Sequence, residues 1–243
     1  MQNPSFSFKQ FTIRHDRCAM KVGTDGVLLG AWASLQTGKE GRENGCLRVL
    51  DIGTGTGLIA LMLAQRFPLA EIEGIDIDDE AVLQAKENAE NSPFGGRVSI
   101  NKKNFKDIDS FSNQYDLIVS NPPFYQEDIF SGSLSRDIAR HTVSLPFEIL
   151  IKNVAKLLCE TGVFCVIIPY TETVNFIAMC AEQKLYLARR LDIQSTAQKH
   201  PKRTMLAFVC SAGCTTDVST MVLYDKEGNR TPEYSELTKD FYL

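Results

Sequence analysis

The sequence predicts an α/β fold, a mostly parallel seven-stranded sheet flanked by helices and finished by a C-terminal antiparallel hairpin. Three observations carry this reading. From Cys46 onward, short apolar runs rich in Val, Ile and Leu alternate with helix-length stretches, as successive βαβ units require. A glycine turn, Gly53-Thr54-Gly55-Thr56-Gly57, joins the first of those runs to a helix. The run Tyr115 to Ser120 stops at Asn121-Pro122-Pro123, where two prolines remove the donors that sheet pairing needs.

Taken in order, Phe6 to Ile13 begins with alternating aromatic and polar residues and suggests a small hairpin ahead of the sheet. Val27 to Ala33 is apolar and follows Thr24-Asp25, either of which can cap a helix. A polar, glycine-containing loop over 36–45 separates this prelude from the first sheet strand. Cys46 to Leu50 reads as that strand, Leu58 to Arg66 as a helix, and Glu71 to Asp78 as a second strand ending in acid. Asp78 and Asp79 suit the start of a helix over Glu80 to Asn91. Arg97 to Ile100 and Tyr115 to Ser120 are strands three and four. Tyr125 to Val143 is polar and suggests a lid. Pro146 to Leu158 reads as a helix, Gly162 to Ile168 as the fifth strand, and Thr171 to Gln183 as another helix. Leu185 to Ser195 and Thr204 to Ser211 form the hairpin. One more strand over Val218 to Tyr224 and a capped helix close the chain.

Composition narrows the class. A length of 243 residues suffices for one large α/β domain. Seven cysteines, an odd number without a C-x-x-C pair, and an N-terminus unlike a signal peptide suggest reduced thiols in a cytoplasmic protein. Cys210 and Cys214 lack a second ligand pair, so we expect no metal. The longest strongly apolar run, Val163 to Ile168, is far short of the roughly 20 residues that span a bilayer. A net charge of −4 argues against indiscriminate nucleic-acid binding but leaves room for a local basic face. The densest positive charge is Lys199, Lys202 and Arg203, with Arg189 and Arg190 nearby; phosphate contact is the expected role, against that of a solvated turn. Arg140, in the suggested lid, is a further candidate for RNA contact.

The glycine turn has the spacing G-x-G-x-G, preceded by Asp51. A dinucleotide fold would show G-x-G-x-x-G, and a P-loop would end in Gly-Lys-Ser/Thr. Its glycines permit close approach of a ligand to the main chain, and the helix start behind it suits an anionic or strongly polar group. Asp76, twenty-five residues after Asp51, falls at the end of the neighbouring strand, where a carboxylate can accept both hydroxyls of a ribose.

Asp51 and Gly53, Gly55 and Gly57 resemble motif I of the class I S-adenosylmethionine methyltransferases. Asn121-Pro122-Pro123-Phe124 resembles motif IV of the members that methylate planar amines. The resemblance implies a Rossmann-like fold with S-adenosylmethionine as cofactor. It implies that the glycine loop passes beneath the methionine portion, that Asp51 helps place its amino end, and that Asp107 reaches the adenine amine, with Phe105 or Ile108 against the ring. In the substrate pocket it implies that the Asn121 side-chain oxygen and the Pro122 carbonyl accept the two hydrogens of the target amine, while Phe124 stacks on an unstacked base.

Phe8-Lys9-Gln10-Phe11, Met20 to Trp32 and Leu237 to Leu243 extend the resemblance over nearly the whole chain, to the bacterial tRNA (adenine-N6) methyltransferases acting on valine tRNA. From this we expect one methyltransferase domain in which residues 1–45 cover the cofactor site of a 46–243 core, with Gly23 and Thr24 closing over the cofactor and tRNA as the partner. Guanine-N2 rRNA or glutamine methyltransferases share the Asn-Pro-Pro motif, but usually carry an added domain for which the prelude is too short. A non-catalytic cofactor-binding scaffold is the alternative outside enzymes.

Overall fold

The computed structural model describes residues 4–18, 21–35, 47–107, 114–123 and 145–243. Ten strands are present among them. β1 (Ser5–Ser7) and β2 (Thr12–Arg14) form a separate antiparallel hairpin. β3 (Leu47–Ile52), β4 (Ala70–Asp76), β5 (Val98–Lys102), β6 (Tyr115–Ser120), β7 (Leu158–Pro169), β8 (Tyr186–Gln194), β9 (Arg203–Val209) and β10 (Asp217–Val222) build the main sheet. Its order is β10-β8-β9-β7-β6-β3-β4-β5, and β9 alone runs against the rest. The expected seven strands are thus eight: the run near Val218 joins the sheet, parallel to β8 from Asp217↔Arg189 to Val222↔Gln194.

Side-chain alternation along the strands assigns the two faces. Val163, Cys165 and Ile167 point to one core, with α1 (Thr24–Trp32), α2 (Leu58–Arg66) and the N-terminal hairpin. Phe164, Val166 and Ile168 point to the other, which α4 (Phe147–Leu157) and α5 (Thr173–Glu182) cover. Period-two burial of β-branched and aromatic residues on both faces is what a sheet packed between helical layers demands. α3 (Asp79–Glu90) and α6 (Pro232–Thr238) complete the α-helices among the described residues.

The prelude is bound to the sheet by specific contacts. Gly26 and Gly30 let α1 lie close on α2, since a Cβ at Gly30 would stand 2.7 Å from the Met62 sulfur. The Asn88 side chain accepts the Arg14 N–H at 2.9 Å and donates to the Arg14 and Thr56 carbonyls. One expectation fails at α1. Neither Thr24 nor Asp25 caps it; the cap position is Gly23, with no side-chain cap bond. Asp25 is instead in the first turn and pairs with Arg203 at 2.8 Å.

Chain direction positions the site. From β3 the chain steps outward to β4 and β5, then returns to place β6 on the opposite side of β3. Between β3 and β6 the helical connections diverge, which opens a crevice beyond the carboxyl ends of the strands.

Candidate active site

A cavity of about 510 Å³ occupies that crevice, within the range of small-molecule sites. Its floor is the glycine turn. Gly53, Gly55 and Gly57 all have positive φ, at 69°, 55° and 79°. A Cβ at Gly53 or Gly55 would meet no atom within 4 Å, because both face open space, whereas one at Gly57 would touch the Cβ of Ala85 at 3.3 Å. Gly53 and Gly55 therefore line the cavity, and Gly57 lets α2 pack on α3.

Four of the turn's N–H groups are engaged within the fold, so any polar ligand group would be met by the helix start behind the turn. Those of Gly53 and Thr54 donate to the Ile75 carbonyl at 2.9 and 3.0 Å, that of Gly55 to Asp76 at 2.9 Å, and that of Gly57 to Thr54. With three of these donors taken by the end of β4 and that of Gly57 by the turn itself, they are not available as a phosphate nest.

Asp51 sits beneath the turn and does not line the cavity. One of its oxygens accepts the Thr54 hydroxyl at 2.6 Å and the Ala60 N–H at 3.2 Å, clamping the turn to α2. Its other oxygen, Oδ1, is buried without a hydrogen-bond partner. Burial pushes its carboxyl up to about 7, opposed by those hydrogen bonds and reinforced by the charge of Asp76. Asp76 lines the cavity and is half-buried. Its two oxygens accept one backbone N–H each, from Gly55 and from Asp78 at 3.0 Å, which fixes the carboxylate while leaving each oxygen a second lone pair.

On the far wall, Asn121 and Pro122 follow directly from β6 into the same cavity. The Ser120 hydroxyl donates to the Ile52 carbonyl at 3.0 Å, locking the tip of β6 to the tip of β3. Gly23 and Thr24 line the cavity from the prelude. Asp107 does not reach the lining; Asn104 does, and its amide donates to Asp107 at 2.7 Å while its oxygen accepts the Lys106 N–H. Phe105 lines the cavity from a buried position, and Ile77, 38% exposed, faces it from the end of β4. Phe124, Ile108, Arg140 and the suggested lid lie outside the described residues.

Sequence reading overlooked Asn104, whose Asx turn after β5 is the signal that could have found it. It also passed over Ile77 and Cys18. The Cys18 thiol lines the cavity, and burial, with Asp76 and Asp78 next in effect, pushes it up to about 11, so it stays protonated and is a poor nucleophile.

The basic candidates divide. Arg189 donates to the Ser34 hydroxyl and lies 4.4 Å over the Trp32 ring. Arg190 makes two 2.9 Å bonds to Asp192. Arg203 pairs with Asp25. These three charges are engaged within the fold, while Lys199 and Lys202 are exposed.

The residues fit S-adenosylmethionine on two structural grounds: glycines open to the cavity where a Cβ would intrude on a ligand, and a fixed carboxylate at the end of β4 with lone pairs to spare. Comparison with known proteins agrees. A family model described as a methyltransferase domain matches residues 43–227. A tRNA1(Val) (adenine(37)-N6)-methyltransferase of Bacteroides thetaiotaomicron is 44% identical over all of this chain and 99% of its own length. Its namesake in Flavobacterium johnsoniae is 41% identical over 98% of this chain and 99% of its own. A solved structure from Agrobacterium tumefaciens, described as a "predicted O-methyltransferase", superposes with a TM-score of 0.69 at 15% identity, covering 89% of this chain and 96% of that one. At that identity the likeness speaks for the fold. The chain is a Rossmann-like, S-adenosylmethionine-dependent methyltransferase, and it belongs to the family of the tRNA1(Val) (adenine(37)-N6)-methyltransferases.

Proposed function

We propose that this protein methylates the exocyclic N6 amine of adenine 37 in tRNA1(Val), the activity for which its relatives are named. The observation that carries the chemistry is the placement of Asn121 and Pro122 at the locked tip of β6, on the same cavity as Gly53, Gly55 and Asp76. Bound S-adenosylmethionine supplies a methyl group activated by a sulfonium centre.

The chain's own residues act on the other reactant. An aromatic amine is a weak nucleophile because its lone pair is delocalised into the ring. The Asn121 side-chain oxygen and the Pro122 carbonyl accept its two hydrogens, which favours a pyramidal nitrogen with the lone pair free. Proline makes the second acceptor rigid, so little reorganisation is needed at the moment of reaction. No strong base is required, since the methylated nitrogen sheds its extra proton readily afterwards. Phe124, two residues after Pro122, stacks on the extruded adenine.

In the cofactor half, Asp76 accepts the ribose hydroxyls, and Asn104 with Asp107 behind it meets the adenine amine. Gly23 and Thr24 cover the methionine end. Asp51 acts from below by holding the turn. Lys199 and Lys202, with Arg140, meet RNA phosphate. We further propose one catalytic domain, residues 1–45 covering the core, working in the cytoplasm without an obligate protein partner. Among the described residues no helix is long and apolar enough to cross a membrane.

The test is methyl transfer to two transcripts of tRNA1(Val), one with adenine at position 37 and one with guanine there. Label in the first alone supports the proposal. Equal label in both moves the target to another nucleotide.

A further inference from the structure

The hairpin expected to meet phosphate braces an aromatic residue from the neighbouring strand end. Tyr170 follows β7 directly and is 37% exposed, unlike the buried aromatics of the sheet core. Its N–H donates to the Lys202 carbonyl at 3.1 Å, which fixes it against the start of β9. The Arg190 guanidinium lies 5.6 Å from its ring centroid, within reach of a cation–π contact. Arg190 is itself held by its two bonds to Asp192, a buried residue that also accepts the Thr204 hydroxyl. A chain of contacts thus runs from the buried Asp192 through Arg190 to a ring that is partly open to solvent. The Arg190 charge and two of its N–H donors are thereby engaged by Asp192.

Register locates the ring relative to the chemistry. Ser120 stands opposite Val166 on parallel strands. Asn121 is one residue past Ser120 and Tyr170 four past Val166, so the Tyr170 backbone lies at most about 10 Å beyond the level of Asn121, on the strand about 5 Å to the side. It is on the same carboxyl edge of the sheet, a few nucleotides from a base held at Asn121. Lys202, whose carbonyl accepts the Tyr170 N–H, and Lys199 are both exposed on the adjoining β8–β9 connection. A preorganised aromatic face beside solvated lysines is the combination that binds single-stranded nucleic acid through base stacking and backbone charge.

We propose that Tyr170 is a stacking platform for an unpaired base near the target adenine, braced from behind by Arg190. This rests on the tRNA-methylating function proposed above and adds to it a positioning residue that contacts the RNA away from the reacting atoms. Stacking on such platforms changes affinity by roughly 10- to 100-fold per base. Steady-state methylation of tRNA1(Val) should therefore show KM for tRNA raised by about that factor in Tyr170→Ala, with kcat changed much less. Tyr170→Phe, which keeps the ring, should recover most of the affinity. Because stacking is uncharged, the dependence of KM on salt should keep its slope in Tyr170→Ala. Calorimetric affinity for S-adenosylmethionine, measured on the same preparation, checks that the fold is intact. Wild-type KM for tRNA in a Tyr170→Ala enzyme that binds cofactor normally overturns the platform alone. Failure of the wild-type enzyme to methylate tRNA overturns the functional reading and the platform with it.

Discussion

Replacing Asp51 with Asn should change how stability depends on pH. Asp51 lies at the bottom of the site with one oxygen bonded to Thr54 and Ala60 and the other buried without a partner. Its folded-state value is pushed up to about 7, whereas an unfolded chain gives about 4. Between those values the folded protein keeps a proton that the unfolded chain has released. This group's contribution is therefore fullest at low pH and is lost as pH rises to about 7, at roughly 1.4 kcal/mol per pH unit. Asp51→Asn keeps an acceptor for Thr54 and Ala60 and removes the titration. Any constant cost of the new amide cancels when slopes are compared. Urea unfolding of both cofactor-free proteins at pH 5, 6, 7 and 8 should show wild type losing about 2–3 kcal/mol relative to the variant between pH 5 and 7, then little more. Parallel profiles across that range would refute the burial argument.

Other perturbations separate the parts of the site. Asn121→Ala should lower kcat by about 100-fold or more, with S-adenosylmethionine affinity within a few-fold, whereas Asp76→Ala should weaken cofactor binding by about 10-fold or more, because it removes both the ligand acceptor and the anchor for Gly55. Calorimetry with single-turnover kinetics distinguishes them, and equal loss of cofactor binding in both would contradict the division of labour. Gly57→Ala, with its positive φ and the 3.3 Å approach to Ala85, should cost about 1–2 kcal/mol and lower Tm by a few degrees. Gly53→Ala should carry similar strain and also reduce cofactor affinity, since its methyl would enter the cavity. Lys199→Ala combined with Lys202→Ala should raise KM for tRNA and flatten its salt dependence, by about one unit of slope for each phosphate no longer neutralised. An unchanged slope would return both lysines to ordinary solvated surface.

Most of the architecture was legible because it rests on short-range rules. Tyr115 to Ser120 was bounded by prolines, and Asp78 caps α3 through the Glu80 N–H as its position suggested. The strand count missed by one because joining β10 to the sheet depends on its pairing with β8, a long-range register that no local pattern encodes. The two principal motifs, the glycine turn and Asn121-Pro122, were found and do meet at one cavity. Less legible was the direction in which polar groups point. The turn's inward N–H groups and the commitment of Arg190 and Arg203 to Asp192 and Asp25 depend on partners 2 to 178 residues away. Composition identified a basic cluster but could not separate charges already paired within the fold from the exposed lysines.

The most direct test of the central claim is nucleoside mass spectrometry of purified tRNA1(Val) from cells with and without this gene. The account predicts N6-methyladenosine at position 37 in the first and unmodified adenosine in the second, with the modification restored by purified protein and S-adenosylmethionine. Methyladenosine that persists without the gene, or purified protein that labels rRNA or protein but not this tRNA, would contradict the substrate while leaving the fold and the cofactor in place.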